Sequence, residues 1–312
     1  NKRNIHRQIG ELFEKEKKKE EYSETLSFHF GVGEVYDKAF DYSLIAARRA
    51  YLQQLYFKAQ KFYSLSIEYG EKIGKKIEEI ELLNYLKSLI ATSEYDRAEK
   101  IIEILRKSDD FDINLKSQYY FITILDNKGE YEREFNESTK LIEKAQEEGR
   151  SEIIVLAFKY AISALIRLGK YDDALKWTED GLKKILEYNR EEELPDFYIL
   201  IGSALYAKGD YKKAANYYSI AEEYAEETKN YEVAIRSYYG LANCHLAVKE
   251  PEKAIEYGEK ALEIAKKLGS RINILGAGTT IALCLIESQR EEQALEILKS
   301  FIFIYALLKI CI

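Results

Sequence analysis

Methionine is absent from all 312 residues, and proline occurs only twice, at Pro195 and Pro251. Proline removes a backbone donor and crowds the preceding turn of a helix. A chain this poor in it, and free of alternating apolar runs, reads as nearly all helix. Both prolines fit helix starts, where the N–H has no intrahelical partner to lose. With no methionine and Asn1 in first place, the chain is expected to be a segment of a longer polypeptide whose other domains carry any catalysis. No apolar stretch reaches the length of a membrane span and no signal peptide precedes the first helix, so a cytoplasmic location is expected.

Cations are also short. Lysine and arginine number 47 against 54 aspartates and glutamates, a net charge of −7. Nucleic acids and anionic membranes are bound through clustered cations, so neither is expected as a partner. Lysine and glutamate interleave as on solvated helix faces, and the most basic run, Lys15 to Lys19, is itself flanked by glutamates.

Catalytic patterns are missing too. There is no Gly-x-x-x-x-Gly-Lys-Ser/Thr phosphate loop. Gly31 with Gly33 reads as a helix–helix turn, and Gly276 with Gly278 as close helix packing or a hinge. His6, His29 and His245 are few and far apart in sequence, and in a solenoid each repeat touches only its neighbours, so the three are not expected to converge on one ion and are expected to serve polar packing. No enzyme activity, metal or cofactor is expected.

What the chain does contain is a repeat. A turn signature recurs as Gly129-Glu130-Tyr131, Gly169 to Ala174 and Gly209 to Ala214, with variants ending at Ala254 and Ala294. Anchored on the small residue that ends it, the units fall at Ala39, Ala59, Ala98, Glu134, Ala174, Ala214, Ala254 and Ala294, and the last four intervals are 40 residues each. Glu134 marks the weakest unit. A repeat of this period, made of two helices and a tight turn, cannot bury its apolar face alone and must stack on its neighbours. The expected fold is therefore all-α, an α-solenoid of stacked helix-turn-helix repeats. Residues 1–60 form a helical entry segment with the first units, and 61–312 hold about six more.

The unit resembles the tetratricopeptide repeat. Tyr198, Ile201, Gly202 and Leu205 precede the Ala214 anchor, and Tyr218 and Ala221 follow it, at that family's packing positions. Tyr238, Leu241, Ala242 and Ala261 repeat the pattern around Ala254. The resemblance implies a right-handed superhelix, and a period of 40 instead of the usual 34 implies helices longer by about three residues each. Leu26-Ser27-Phe28-His29-Phe30, Gly33, Lys38-Ala39, Ala46-Ala47 and Arg49-Ala50 resemble the junction that precedes the repeats of large multidomain signal-transduction ATPases. Cys244 and Cys284 each lie ten residues before an anchor, too far apart for a disulfide, and are expected to be reduced core thiols. Cys311 is the candidate for reactivity. Trp177 is expected to pack between repeats.

In the tetratricopeptide-repeat family the first helix of each unit lines a concave groove through positions 18, 15, 11, 8 and 7 before the anchor. The resemblance places Lys159, Ser163, Arg167, Asp196, Ser203, Tyr206, Arg236, Tyr239 and Asn243 there, with Tyr119, Thr123 and Asn127 upstream. Such side chains suit the backbone of an extended polypeptide, with arginine and tyrosine as anchors. The family's clamp for a terminal carboxylate is not expected, because Ser163, Leu200 and Gly240 replace three of its polar residues. The partner implied is a protein or peptide. The role is a scaffold or sensor segment of a larger signalling protein, or alternatively a self-contained peptide-responsive regulator like those of bacterial quorum sensing. Eleven of the twelve residues 301–312 are apolar, and a homodimer contact is expected through them.

Overall fold

The computed structural model describes residues 2–16 and 19–299; Cys311 and the apolar run 301–312 lie outside them. Every regular element among the described residues is a helix. The chain forms two compact units, the first ending at Lys128 and the second starting at Gly129.

The first unit comprises α1 (Lys2–Glu14), a single 3-10 turn (Lys19–Tyr22), α2 (Ser23–Val32), α3 (Tyr36–Leu52), α4 (Tyr56–Ile73), α5 (Glu79–Ala91), α6 (Tyr95–Leu105) and α7 (Phe111–Lys128). Its alanine-rich helix is α3, which packs on both α2 and α4. Ala46, Ala47 and Ala50 are buried. Small residues let the neighbouring helices approach, and at Ser27 the requirement is visible: its hydroxyl sits 2.6 Å from that of Ser43 in a fully buried position. Ala39 and Ala59 each occupy the fourth position of consecutive helices, so α3 serves as second helix of one pair and first of the next. Glu81 is a buried acid held by Arg48 Nε at 2.6 Å and the Tyr63 hydroxyl at 2.9 Å.

The second unit comprises α8 (Tyr131–Glu147), α9 (Ser151–Arg167), α10 (Tyr171–Glu187), α11 (Leu194–Ala207), α12 (Tyr211–Thr228), α13 (Tyr231–Ala247), α14 (Pro251–Lys267), α15 (Arg271–Glu287) and a helical run over 291–299. Consecutive helices pack on one another, and α11 also touches α9 and α13. Apart from α11, the helices from α8 to α15 are 17 or 18 residues long. Pro195 and Pro251 both lie in the first turn of a helix.

The anchors are the tightest points of the array. Ala39, Ala59, Ala98, Ala174, Ala214 and Ala254 are completely buried and Ala294 nearly so. Glu134, which stands in for alanine, is completely buried as well.

The turns reveal a finer period. Gly129, Gly149, Gly169, Asn189, Gly209, Lys229, Lys249, Gly269 and Gln289 all have φ between 53° and 87°, one every 20 residues. Each helix therefore ends in one left-handed residue that reverses the chain, and only glycine adopts that conformation without a steric cost. The signature glycine of the sequence is this residue. In the later units Lys249 and Gln289 hold the same geometry, so the backbone pattern outlasts the glycine.

Gly31 and Gly33 depart from the expected role. The left-handed residue after α2 is Glu34, at φ 57°. Gly31 lies inside α2, where a Cβ would stand 2.2 Å from the Tyr69 hydroxyl, and a Cβ on Gly33 would meet Arg7. These glycines admit neighbouring side chains.

Candidate functional site

Three first helices, α9, α11 and α13, set a groove of about 330 Å³ in the second unit. Ser163, Ile166 and Arg167 come from α9, Ile199, Leu200 and Ser203 from α11, and Arg236, Tyr239, Gly240 and Asn243 from α13, with Tyr218 entering from α12. Positions spaced three or four apart on a helix share a face, which is why the residues chosen by repeat register converge. Six of the nine residues that the repeat register places in this unit's groove line it: Ser163, Arg167, Ser203, Arg236, Tyr239 and Asn243.

Tyr218 forms the floor. Its ring lies so close to Gly202 and Gly240 that a Cβ on either would stand 2.9 Å or 2.4 Å from a ring carbon. Its hydroxyl lies 3.0 Å from Ser203 Oγ, which donates onward to the Ile199 carbonyl at 2.8 Å. Tyr218 is therefore the donor to Ser203. Burial pushes its pKa up to about 12, and the phenol stays neutral. The sequence places Tyr218 among the packing residues; the clue to its second role is the pair of glycines flanking it in space.

The three expected residues of this unit outside the lining, Tyr206, Lys159 and Asp196, are engaged elsewhere. Tyr206 packs on Tyr211 at the turn, with ring centroids 5.2 Å apart. Lys159 donates to Glu193 at 2.9 Å and to Asp196 at 3.0 Å, and Arg236 pairs with the other oxygen of Asp196. Asp196 thus bridges cations from α9 and α13. Its desolvation opposes ionisation, but Arg236 and Lys159 hold its pKa below the usual carboxylate value. Burial likewise opposes the charge on Lys159, and the two carboxylates outweigh it and raise its pKa. Tyr239 is also committed, donating to the Asn273 carbonyl at 2.7 Å. Ser163 is half-buried, Arg167 and Asn243 are exposed, and the Arg167 guanidinium lies 5.8 Å from the centre of the Tyr131 ring, while Ile166, Ile199, Leu200 and the Tyr218 ring supply apolar surface.

Other expectations resolve as follows. Cys244 and Cys284 are buried free thiols, and burial pushes Cys244 up to about 12. Trp177 packs between Phe135 and Phe158, at centroid distances of 5.2 and 5.5 Å. His245 stacks on Tyr257 at 5.4 Å and pairs with Glu250. Two of the three histidines do meet: α1 packs against α2, and this brings His6 Nδ1 to 3.0 Å from His29 Nδ1. A helical hairpin closes that separation of 23 residues. Among the described residues no group of three or more His, Cys, Asp or Glu is placed to hold a metal ion, and no helix is long and apolar enough to cross a membrane.

Residues 195–267 match the tetratricopeptide-repeat family model. No curated protein matches the sequence. Among solved structures, aspartyl phosphate phosphatase F from Bacillus subtilis is similar at a TM-score of 0.63 and 17% identity, over 89% of this chain and 74% of that one. A Rap protein complexed with competence and sporulation factor is similar at 0.59 and 14%, over 99% and 92%. A signal transduction ATPase with numerous domains and a tetratricopeptide repeat sensor, from Pyrococcus horikoshii, is similar at 0.56 and 13%, over 98% of this chain and 49% of that one. At these identities the likeness is one of fold. Residues 195–267 thus match tetratricopeptide repeats, and the described residues form an all-α repeat fold like that of the solved tetratricopeptide-repeat structures.

Proposed function

We propose that this chain is a polypeptide-binding scaffold, and that the groove between α9, α11 and α13 takes an extended segment of its partner. The observation that carries the reading is the groove's division of labour. Its apolar floor accepts a side chain, while the Asn243 carboxamide and the Arg167 guanidinium at its edge can pair with backbone amides and carbonyls or with a carboxylate. Arg236 and Tyr239, the anchors expected from sequence, are occupied within the protein and act by shaping the wall.

The finer reading is a sensor segment of a larger signalling protein. It is supported by the entry segment's resemblance to the junction in signal-transduction ATPases and by the fold similarity, over 98% of this chain and 49% of the other, to a signal transduction ATPase with a tetratricopeptide repeat sensor. Likeness to a Rap protein bound to its factor supports the same mode of binding in a self-contained regulator. A nucleotide-binding domain encoded upstream of Asn1 distinguishes the first from the second.

Selection from a displayed peptide library against the full chain tests the groove. Asn243→Ala and Arg167→Ala are each expected to weaken the selected peptide by more than about 1 kcal/mol with unchanged helicity. Equal binding by both variants removes the groove from consideration.

A further inference from the structure

The first unit brings two imidazoles together. His6 of α1 and His29 of α2 face each other with their Nδ1 atoms 3.0 Å apart, and both residues are half-buried. The approach is built by other contacts of the hairpin. Arg7 Nε donates to the Gly33 carbonyl at 2.7 Å, Arg3 pairs with Glu34 at 2.9 Å, and Gly10 lies so close to Phe30 that a Cβ would stand 2.8 Å from the ring. Aromatic rings close the sides. Phe28 lies 5.5 Å from His6 and 5.3 Å from His29, centre to centre, and Phe13 stacks on His29 at 6.4 Å.

Two neutral imidazoles at this distance share one proton, the Nδ1–H of one ring facing the Nδ1 lone pair of the other. Two nitrogens bound to one tetrahedral zinc-sized ion, at about 2.0–2.1 Å each, lie about 3.3–3.4 Å apart. The rings therefore need to part by only about 0.3–0.4 Å. The donor ring moves its proton from Nδ1 to Nε2, so both lone pairs point at the ion and no proton leaves the pair. Burial, and then the neighbouring His6, lower the pKa of His29, which keeps its ring in the neutral form that ligates. Imidazole nitrogen suits zinc, nickel and copper, whereas magnesium and calcium take oxygen ligands.

We propose that His6 and His29 form a site for a divalent transition-metal ion, held through both Nδ1 atoms with water in the remaining positions. Such an ion pins α1 to α2 at the start of the first unit. The inference does not rest on the groove of the second unit.

The test titrates the full, tag-free chain with copper(II) chloride and follows the imidazole C–H signals of its three histidines by NMR, assigned through His6→Gln, His29→Gln and His245→Gln. Copper(II) is paramagnetic and broadens the protons of the rings that bind it. His6 and His29 are expected to broaden together at substoichiometric copper, ahead of His245, the internal control. Excess zinc chloride should restore both signals, and magnesium chloride should not. Removing either ligand of a chelating pair is expected to weaken binding about a hundredfold, so the histidine left in His6→Gln or His29→Gln should respond like His245. The ordering in the unaltered chain is read even where a variant loosens α1. If the pair does not broaden ahead of His245, if magnesium competes as well as zinc, or if the single variants respond as the unaltered chain does, the proposal is overturned.

Discussion

The Tyr218 ring lies directly on the backbone of Gly240, where an added Cβ would stand 2.4 Å from a ring carbon. This contact lets one side chain from the second layer of helices become the floor of a groove lined by the first. Gly240→Ala raises intrinsic helix propensity by about 1 kcal/mol but forces a buried ring aside. Overpacking of this kind costs about 1–3 kcal/mol, so the variant is expected to lose stability in urea unfolding and to lose the groove. A more stable Gly240→Ala protein would show the ring moves freely.

The bridge at Asp196 predicts a pH dependence. Its folded pKa is depressed, so its contribution to stability is complete above the unfolded carboxylate value of about 3.9 and is lost as the pH falls through the lower folded value. Asp196→Asn is expected to cost about 1.5–3 kcal/mol at neutral pH. The variant should also lose part of the stability decline below pH 4, measured by unfolding at a series of pH values.

Left-handed residues at the turns offer a stability test without touching any contact. Lys249 and Gln289, at φ 63° and 59°, occupy the position held by Gly169 at φ 73°. Lys249→Gly and Gln289→Gly should each stabilise by about 0.5–1 kcal/mol, and Gly169→Ala should destabilise by about 1 kcal/mol. Thermal melts of the three variants check the signs, and a destabilised Lys249→Gly would contradict the account.

Gly276 separates packing from hinge. A Cβ there would stand 2.8 Å from the Tyr239 hydroxyl, which is fixed by its bond to the Asn273 carbonyl. Gly276→Ala is therefore expected to lower stability by about 1 kcal/mol or more. Higher stability accompanied by a lost partner response would identify a hinge instead.

Cysteine chemistry gives the simplest measurement. Burial raises the pKa of both Cys244 and Cys284, and only the thiolate attacks a disulfide reagent. In a Cys311→Ser background, native protein at pH 8 should not react with such a reagent until denaturant is added.

The sequence by itself determined the repeat: the interval of 40 residues, the small anchors and the two-helix unit all follow from which side chains can be buried at a close helix crossing. It also selected six groove residues, because helical register places positions three and four apart on one face whatever the partner. Tertiary structure alone decided what those residues are free to do. Asp196 claims Arg236 and Lys159, the Asn273 carbonyl claims Tyr239, and Tyr218 reaches the groove from behind. Each of these contacts joins residues 15 to 40 positions apart, and no local pattern encodes them. The meeting of His6 with His29 has the same origin. Which charges find a partner depends on how neighbouring helices bring their faces together, a distance that sequence separation does not measure.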